Sequence, residues 1–187
     1  MKEHISYQEK ELCKCFIRLV NEVGYSKINI SLLTRETGIN RTTFYLYFSD
    51  KSELAEYICY TFLDEYYQIL ARSLQLHDRD KMYSAIMEAF DNNRKNADTI
   101  MALWSIHEAG FDPYLIMQKG MCDTIIRSFS GDHQGLDPLN IEFFAESFAA
   151  SAMATTRMFI RNGCRNQEQI VDNICTACYK GMSAVLR

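Results

Sequence analysis

The sequence predicts an all-α chain. A three-helix N-terminal domain with a helix-turn-helix comes first, then a linker helix, then a larger helical regulatory and dimerisation domain, about nine helices together. Three observations predict it. Apolar residues recur at helical spacing along nearly the whole chain. Only two prolines, Pro113 and Pro138, and eight glycines interrupt 187 residues, which suits long helices with few tight turns. The segment from Gly24 to Lys51 reads as two short helices joined at a glycine, the second with a polar and aromatic outer face.

The first helix is expected from about Ser6 to Val23, with Leu12, Phe16, Leu19, Val20 and Val23 as its buried stripe. Asn29 suits an N-cap, since its side chain accepts a backbone N–H. Ile30, Leu33 and Thr37 then share one face. Gly38 follows, where a left-handed residue ends a helix at little steric cost. Ile39 turns inward, Asn40 is a second cap and Arg41 opens the next helix. Phe44 and Phe48 are four apart and point to the core, while Arg41 and Tyr45 form another such pair rotated away from it. Thr42, Thr43 and Tyr47 surround a helix N-terminus with hydroxyls, a setting that favours phosphate. Leu46 is an apolar residue on the outer side, suited to a thymine methyl or to packing on the linker helix. Asp50 caps that linker, Glu53 is its capping-box partner, and Lys51 is within reach of a phosphate.

The linker helix is expected from Lys51 to about Leu76, mixing Leu54, Ile58, Phe62, Leu63 and Ile69 with Tyr57, Tyr60, Tyr66 and Tyr67. His77 to Asp80 is a loop. A helix through Met82, Ile86, Met87 and Phe90 ends near Asn92 and Asn93, and another spans Ala97 to Glu108, stopped by Ala109-Gly110. Pro113 starts a helix that ends near Phe129, since proline costs little in a first turn. Gly131 to Asp137 is a loop, and Pro138 to about Asn162 a long helix stopped by Gly163. Asn166 with Gln169 resembles a cap for the last helix, whose inward stripe is Ile170, Ile174, Ala177, Cys178, Gly181 and Val185. The helix from Pro138 is rich in small residues between Ala149 and Ala154, which allow close helix approach. It pairs with the last helix either as half of an intersubunit four-helix bundle or as an internal hairpin. The bundle reading puts Ser151, Thr155, Met158, Phe159, Ile174, Cys178 and Met182 at a homodimer interface.

The pattern Gly24-Tyr25, Ile28 to Ile30, Leu33, Gly38-Ile39-Asn40, Thr43-Phe44-Tyr45, Tyr47-Phe48, Lys51 and Leu54 resembles the N-terminal domain of the TetR/AcrR family of bacterial transcription regulators. The resemblance covers roughly residues 8 to 55. It implies an all-helical cytoplasmic homodimer, usually a repressor on a palindromic operator in double-stranded DNA, whose C-terminal domain binds a small-molecule effector. By position it implies Thr43 and Tyr45 on DNA, Lys51 on a backbone phosphate, and Arg41 and Thr42 at the groove-facing helix start. Asn29, Ser31, Asn40 and Tyr47 complete the expected DNA-contacting set. Thr34 and Thr37 stand where alanine is usual, Thr42 where glycine or alanine is common, and Tyr47 where histidine is common. Thr34 and Thr37 need partners for their hydroxyls, and the carbonyls of the preceding turn are in place. The DNA-binding domain is expected over residues 1–50 and the regulatory domain over 51–187.

The net charge of −4 argues against a protein that coats nucleic acid through bulk charge. Residues 1–50 hold seven Lys/Arg and six Asp/Glu, the rest thirteen and eighteen, so a near-neutral head precedes an acidic body. Seven scattered cysteines suit a reducing cytosol. No secretory h-region and no apolar run near the ~20 residues of a spanning helix is present, so no membrane association is expected. Cys175 and Cys178 read as buried thiols ahead of a metal or redox pair, and Cys13 and Cys15 point to two helix faces. Nothing in the spacing favours a metal between His107, Cys122 and His133, and no cofactor is expected. No nucleophile–base pair has a telling spacing, which argues against an enzyme. The competing function is a dimer of the same fold acting through a protein partner, and intact Arg41, Thr43, Tyr45 and Lys51 favour DNA over it.

Trp104, His107, Phe111, Tyr114, Met117 and Met121 crowd around the break at Gly110 to Pro113. Phe143, Phe144 and Phe148 are expected to face them, with Met87 and Phe90 closing one wall. A helix break lined by aromatics and methionine is a plausible effector cavity, and simple core packing is its alternative.

Overall fold

The structure, a computed structural model, describes residues 6–74, 79–129 and 137–185, and the side chains of all of these except 73–74 and 182–185. The described residues form α1 (Tyr7–Val23), a 3-10 turn (Tyr25–Lys27), α2 (Ile30–Thr37), α3 (Arg41–Tyr47), α4 (Lys51–Leu74), α5 (Arg79–Lys95), α6 (Ala97–Trp104), α7 (Pro113–Phe129), α8 (Pro138–Arg161) and α9 (Gln167–Val185). Among them the sole extended pairing is an isolated antiparallel bridge between Glu108 and Phe111. The expected loop at 77–80 lies outside the described residues up to Arg79, where α5 begins, and the loop at 131–137 lies outside them up to Asp137.

Two compact units result, one of Met1–Phe62 with Asp98–Tyr114, the other of Leu63–Ala97 with Leu115–Arg187. The division at residue 50 follows the sequence motif. Compactness instead splits α4 between the units and assigns α6 to the N-terminal one.

In the N-terminal unit, Ser6 caps α1 by accepting the Glu9 N–H, and Glu9 returns the bond to the Ser6 backbone, a complete capping box. Leu12, Cys15, Phe16, Leu19 and Val20 are buried on one face of α1. Val23 departs from the expected stripe and is exposed, because α1 ends there and the chain turns at Gly24. Arg18 ties α1 to α2 through Glu36 at 3.1 Å while also holding Glu22 at 3.0 Å, and its bond to Glu36 holds that carboxyl below the usual range. Asn21 donates to the Asp98 carbonyl at 2.9 Å.

The helix expected to reach Glu108 ends at Trp104. Ser105 and Ile106 donate to carbonyls three residues back, and the Ser105 hydroxyl takes the Ala102 carbonyl at 2.7 Å, so the last turn tightens and stops. Glu108 and Phe111 then exchange backbone bonds around a turn.

In the second unit α5 packs on α9 and α8, and α8 on α9. Phe90 and Phe159 meet edge to face with centroids 5.0 Å apart. Asp137 caps α8 through the Leu139 N–H, with Pro138 in the first turn. Asn166 does not act as expected. Its φ of 57° is left-handed, its carbonyl accepts the Ile170 N–H, and Gln169 reaches forward to Asn173. The inward stripe of α9 is also rotated from the expected one, with Gln167, Val171, Cys175 and Cys178 buried. Ile170, Ile174, Ala177 and Gly181 face a groove described below.

Candidate nucleic-acid interface

Two asparagines and a glycine shape the helix-turn-helix. Asn29 accepts the Leu32 N–H at 2.9 Å and Asn40 the Thr43 N–H at 2.8 Å, so both short helices start on side-chain caps. Gly38 ends α2 at φ 71°, a left-handed conformation that costs a side-chain-bearing residue more. Thr37 donates to the Leu33 carbonyl at 2.8 Å and accepts the Ile39 N–H, and Thr34 donates to the Ser31 carbonyl. The two hydroxyls therefore find the preceding-turn partners that the sequence required.

On α3, Phe44 is fully buried and Phe48 nearly so, with ring centroids 6.1 Å apart. They fix which face of α3 is outward. Arg41, Thr42, Tyr45 and Leu46 are exposed on that face and Thr43 is half-buried. The Arg41 guanidinium carbon lies 5.9 Å from the Tyr45 ring centroid. Leu46 is 77% exposed, so the alternative of packing on the linker helix falls. Asn29 and Ser31 are exposed at the start of α2.

Besides Asn29 and Asn40, whose side-chain oxygens cap helices, two further expected DNA contacts are engaged within the protein. The Tyr47 hydroxyl accepts from Ser6 at 3.0 Å and donates to Gln8 at 3.3 Å, so it joins α3 to the start of α1. The Lys51 ammonium donates to the Tyr25 carbonyl at 3.1 Å and sits 4.1 Å from the Tyr25 ring centroid. Tyr25 in turn bonds Ser52 at 3.0 Å and Glu108 at 3.1 Å, and burial raises its phenol above the usual 10.0. Asp50 caps α4 by accepting the Ser52 and Glu53 N–H groups, while Glu53 reaches Ser49 N–H and not the cap residue itself. The Ser49 N–H lowers the Glu53 carboxyl below its usual range.

Residues 17–58 match the family model of the bacterial regulatory proteins of the tetR family. Over those residues the chain is similar to the N-terminal domain of that family. Solved structures of regulators with this fold match more than nine-tenths of the chain. A Syntrophomonas wolfei protein described as a TetR-family transcriptional regulator superposes with a TM-score of 0.74 at 14% identity, covering 95% of each chain. The fatty acid degradation regulator FadR of Bacillus halodurans gives 0.69 at 12% identity, covering 96% of this chain and 98% of the other. SmeT in its triclosan complex gives 0.71 at 14%, covering 92% and 91%. No curated protein matches the sequence.

The expected effector residues of this TetR-fold chain divide between its units. Trp104, His107, Phe111 and Tyr114 belong to the N-terminal unit. There Trp104 and Phe111 are buried, Trp104 meets Tyr114 at 5.2 Å, and His107 is exposed with Nδ1 2.9 Å from Asp112. Met87, Phe90, Met117, Met121, Phe144 and Phe148 belong to the second unit. Phe90, Met121 and Phe148 line one interior cavity there, together with Asn93 and Thr156, which the sequence reading missed. The available signal was a polar residue continuing the inward Ile86–Phe90 stripe of α5.

A separate groove of about 530 Å³ runs between α8 and α9. It gathers Ser151, Thr155, Met158, Ile174 and Cys178 from the expected dimer set, and also Phe144 and Phe148. Phe159 is fully buried beside Phe90 and faces the interior of its own chain, which removes it from an exposed interface. The side chain of Met182 lies outside those described.

Among the described residues no group of His, Cys, Asp and Glu could hold a metal. Cys122 donates to the Ala145 carbonyl, Cys175 to the Arg79 carbonyl, and His133 lies outside the described residues. No described helix is long and apolar enough to cross a membrane.

Proposed function

We propose that this chain is a DNA-binding transcription regulator, acting as a homodimeric repressor whose operator affinity is set by a small molecule. The observation that carries the reading is the outer face of α3. Arg41, Thr42, Tyr45 and Leu46 are exposed on a helix whose orientation two buried phenylalanines fix. Arginine reads guanine edges or phosphate, threonine and tyrosine hydroxyls reach bases or phosphates, and leucine suits a thymine methyl. Lys51, with donors remaining beyond its bond to Tyr25, sits at the start of α4 where it can add a phosphate contact.

The α8–α9 groove supports the dimer. Met158 is half exposed beside Ile174 and Phe144, an apolar surface that a second copy would cover. Two heads would then enter successive major grooves with half-sites ~34–36 Å apart. The triclosan complex of SmeT, a protein of the same fold, supports a small-molecule effector here. An effector acts through its different affinity for two head spacings, and ~1–3 kcal/mol of coupling would change operator affinity ~5–150-fold. The α4 helix contributes residues to both units and is the natural lever.

The test is a titration of duplex DNA at several salt concentrations with the native chain and the Arg41→Ala/Tyr45→Ala double variant. The reading requires that the native chain bind with a log-log salt slope of about −0.9 per phosphate engaged, and that the variant lose specific binding. A flat salt dependence with no effect of the substitutions would point to a protein partner.

A further inference from the structure

The interior cavity of the second unit is walled almost entirely by carbon. Tyr66, Phe90, Met121 and Phe148 are among its lining residues, and no charged side chain lines it. Beside the Tyr66 phenol, Asn93 and Thr156 are the polar residues of the wall. They are 1% and 2% exposed, and the Asn93 amide nitrogen donates to the Thr156 hydroxyl at 3.3 Å. The Asn93 carbonyl oxygen has no partner. Turning the amide over exchanges which end is unpaired and leaves one orphan either way. A buried orphan amide group is costly, so an unpaired amide end on a residue that lines a cavity is a site prepared for a hydroxyl, which can donate or accept.

We propose that this cavity receives an uncharged, mainly apolar small molecule with one hydroxyl, which pairs with the open end of the Asn93 amide. The inference rests on the reading of the second unit as the effector-binding half. Charge is excluded because no wall residue compensates it, and an unpaired carboxylate costs far more to bury than a hydroxyl that finds a partner. The resting volume is about 50 Å³, well below the ~300 Å³ of ordinary ligand pockets, so an occupant must push a wall aside. One wall is placed for that. Phe148, Ala152 and Ile174 line both this cavity and the α8–α9 groove, so an occupant is felt on the surface assigned to the partner copy.

Phenol, toluene and benzoate are the probes. Thermal midpoints of the full chain against probe concentration give each affinity without DNA. The expected result is saturable stabilisation by phenol and toluene and none by benzoate. Asn93→Leu, close in shape, should shift the phenol-to-toluene affinity ratio by about tenfold toward toluene. Asn93→Met, which likewise removes the amide, provides a second variant should Asn93→Leu fail to fold, and it should shift the ratio in the same direction. Equal binding of benzoate, an unchanged ratio in the variants, or crystals soaked in phenol that hold only water at Asn93 would overturn the proposal. Probe binding without any DNA binding would instead sink the regulator reading and leave this site standing. DNA binding without probe binding would do the reverse.

Discussion

The Lys51 ammonium stands 4.1 Å from the centroid of the Tyr25 ring and donates to the Tyr25 carbonyl at 3.1 Å. One side chain thereby fixes the start of α4 against the turn that follows α1. Its remaining donors can still serve a phosphate, so a structural and a binding role coincide. Lys51→Met should lower stability by about 1 kcal/mol, or roughly 2–4 °C in Tm. It should also weaken DNA binding about equally for all sequences and reduce the salt slope by about one. A thermal melt and a salt titration of the same variant separate the two roles. An unchanged slope would confine Lys51 to the fold.

Tyr45 meets its helix neighbour Phe44 edge to face, with ring centroids 5.7 Å apart, but makes no hydrogen bond like that of Lys51. It is half exposed and meets the Arg41 guanidinium on the outer face. Tyr45→Ala should therefore leave the Tm within about 1 °C, as surface substitutions do. It should cost ~1–3 kcal/mol at a specific operator while leaving nonspecific binding nearly unchanged. Competition binding between operator and scrambled duplex measures the difference.

The helix-turn-helix was legible in the sequence because each of its features is local. Asn29, Gly38 and Asn40 act on backbone atoms within a few residues, and Phe44 and Phe48 share a face by spacing alone. The engagement of Tyr47 with Ser6 and of Lys51 with Tyr25 was not legible, because it joins residues 41 and 26 positions apart. The same reason explains the α9 stripe. Apolar residues occur on two of its faces, and periodicity alone does not say which one meets α5. Asn93 was not legible because its significance lies in a carbonyl oxygen left without a partner, a property of packing.

Gly120 reverses the usual effect of alanine in a helix. A Cβ there would lie 2.0 Å from the Tyr67 hydroxyl oxygen and 2.3 Å from the adjoining ring carbon. Alanine ordinarily stabilises a helix interior by ~0.5–1 kcal/mol over glycine. Here Gly120→Ala should destabilise by ~1–3 kcal/mol, the range for overpacking, and break the Tyr67 bonds to the Ile116 and Met117 carbonyls. Combining it with Tyr67→Ala should recover part of the packing loss relative to the sum of the two changes. Urea unfolding of the two singles and the double measures that coupling.

Burial raises the thiols of Cys13, Cys59 and Cys178 from the usual 9.0 to about 12, and that of Cys122 to about 11. The folded state therefore keeps neutral thiols where the unfolded chain ionises. Their contribution is complete below pH 9 and is lost as pH rises from there toward 12. Urea midpoints should fall between pH 9 and pH 11, and Cys59→Ala or Cys178→Ala should flatten that fall. Native thiol labelling at pH 8 should be slow at Cys59 and Cys178, which are 1% and 7% exposed.

The α8–α9 groove predicts the assembly. Ile174→Glu and Met158→Glu introduce charge on the surface assigned to a second copy, whereas Leu115→Glu adds the same charge at an exposed α7 position outside the groove. Sedimentation velocity should show a dimer for the native chain and the Leu115 variant, and monomer for the other two. A dimer in every case would place the interface elsewhere.

The outer face of α3 is tested most directly by titrating fluorescent duplex from the region upstream of the chain's own gene, against scrambled duplex, across a salt series. The expected result is binding as a dimer, preferential for the upstream duplex, with a steep log-log salt slope that falls when Arg41 and Tyr45 are replaced together. Binding that is indifferent to sequence, flat in salt and unchanged by those substitutions would contradict a DNA-reading role for α3.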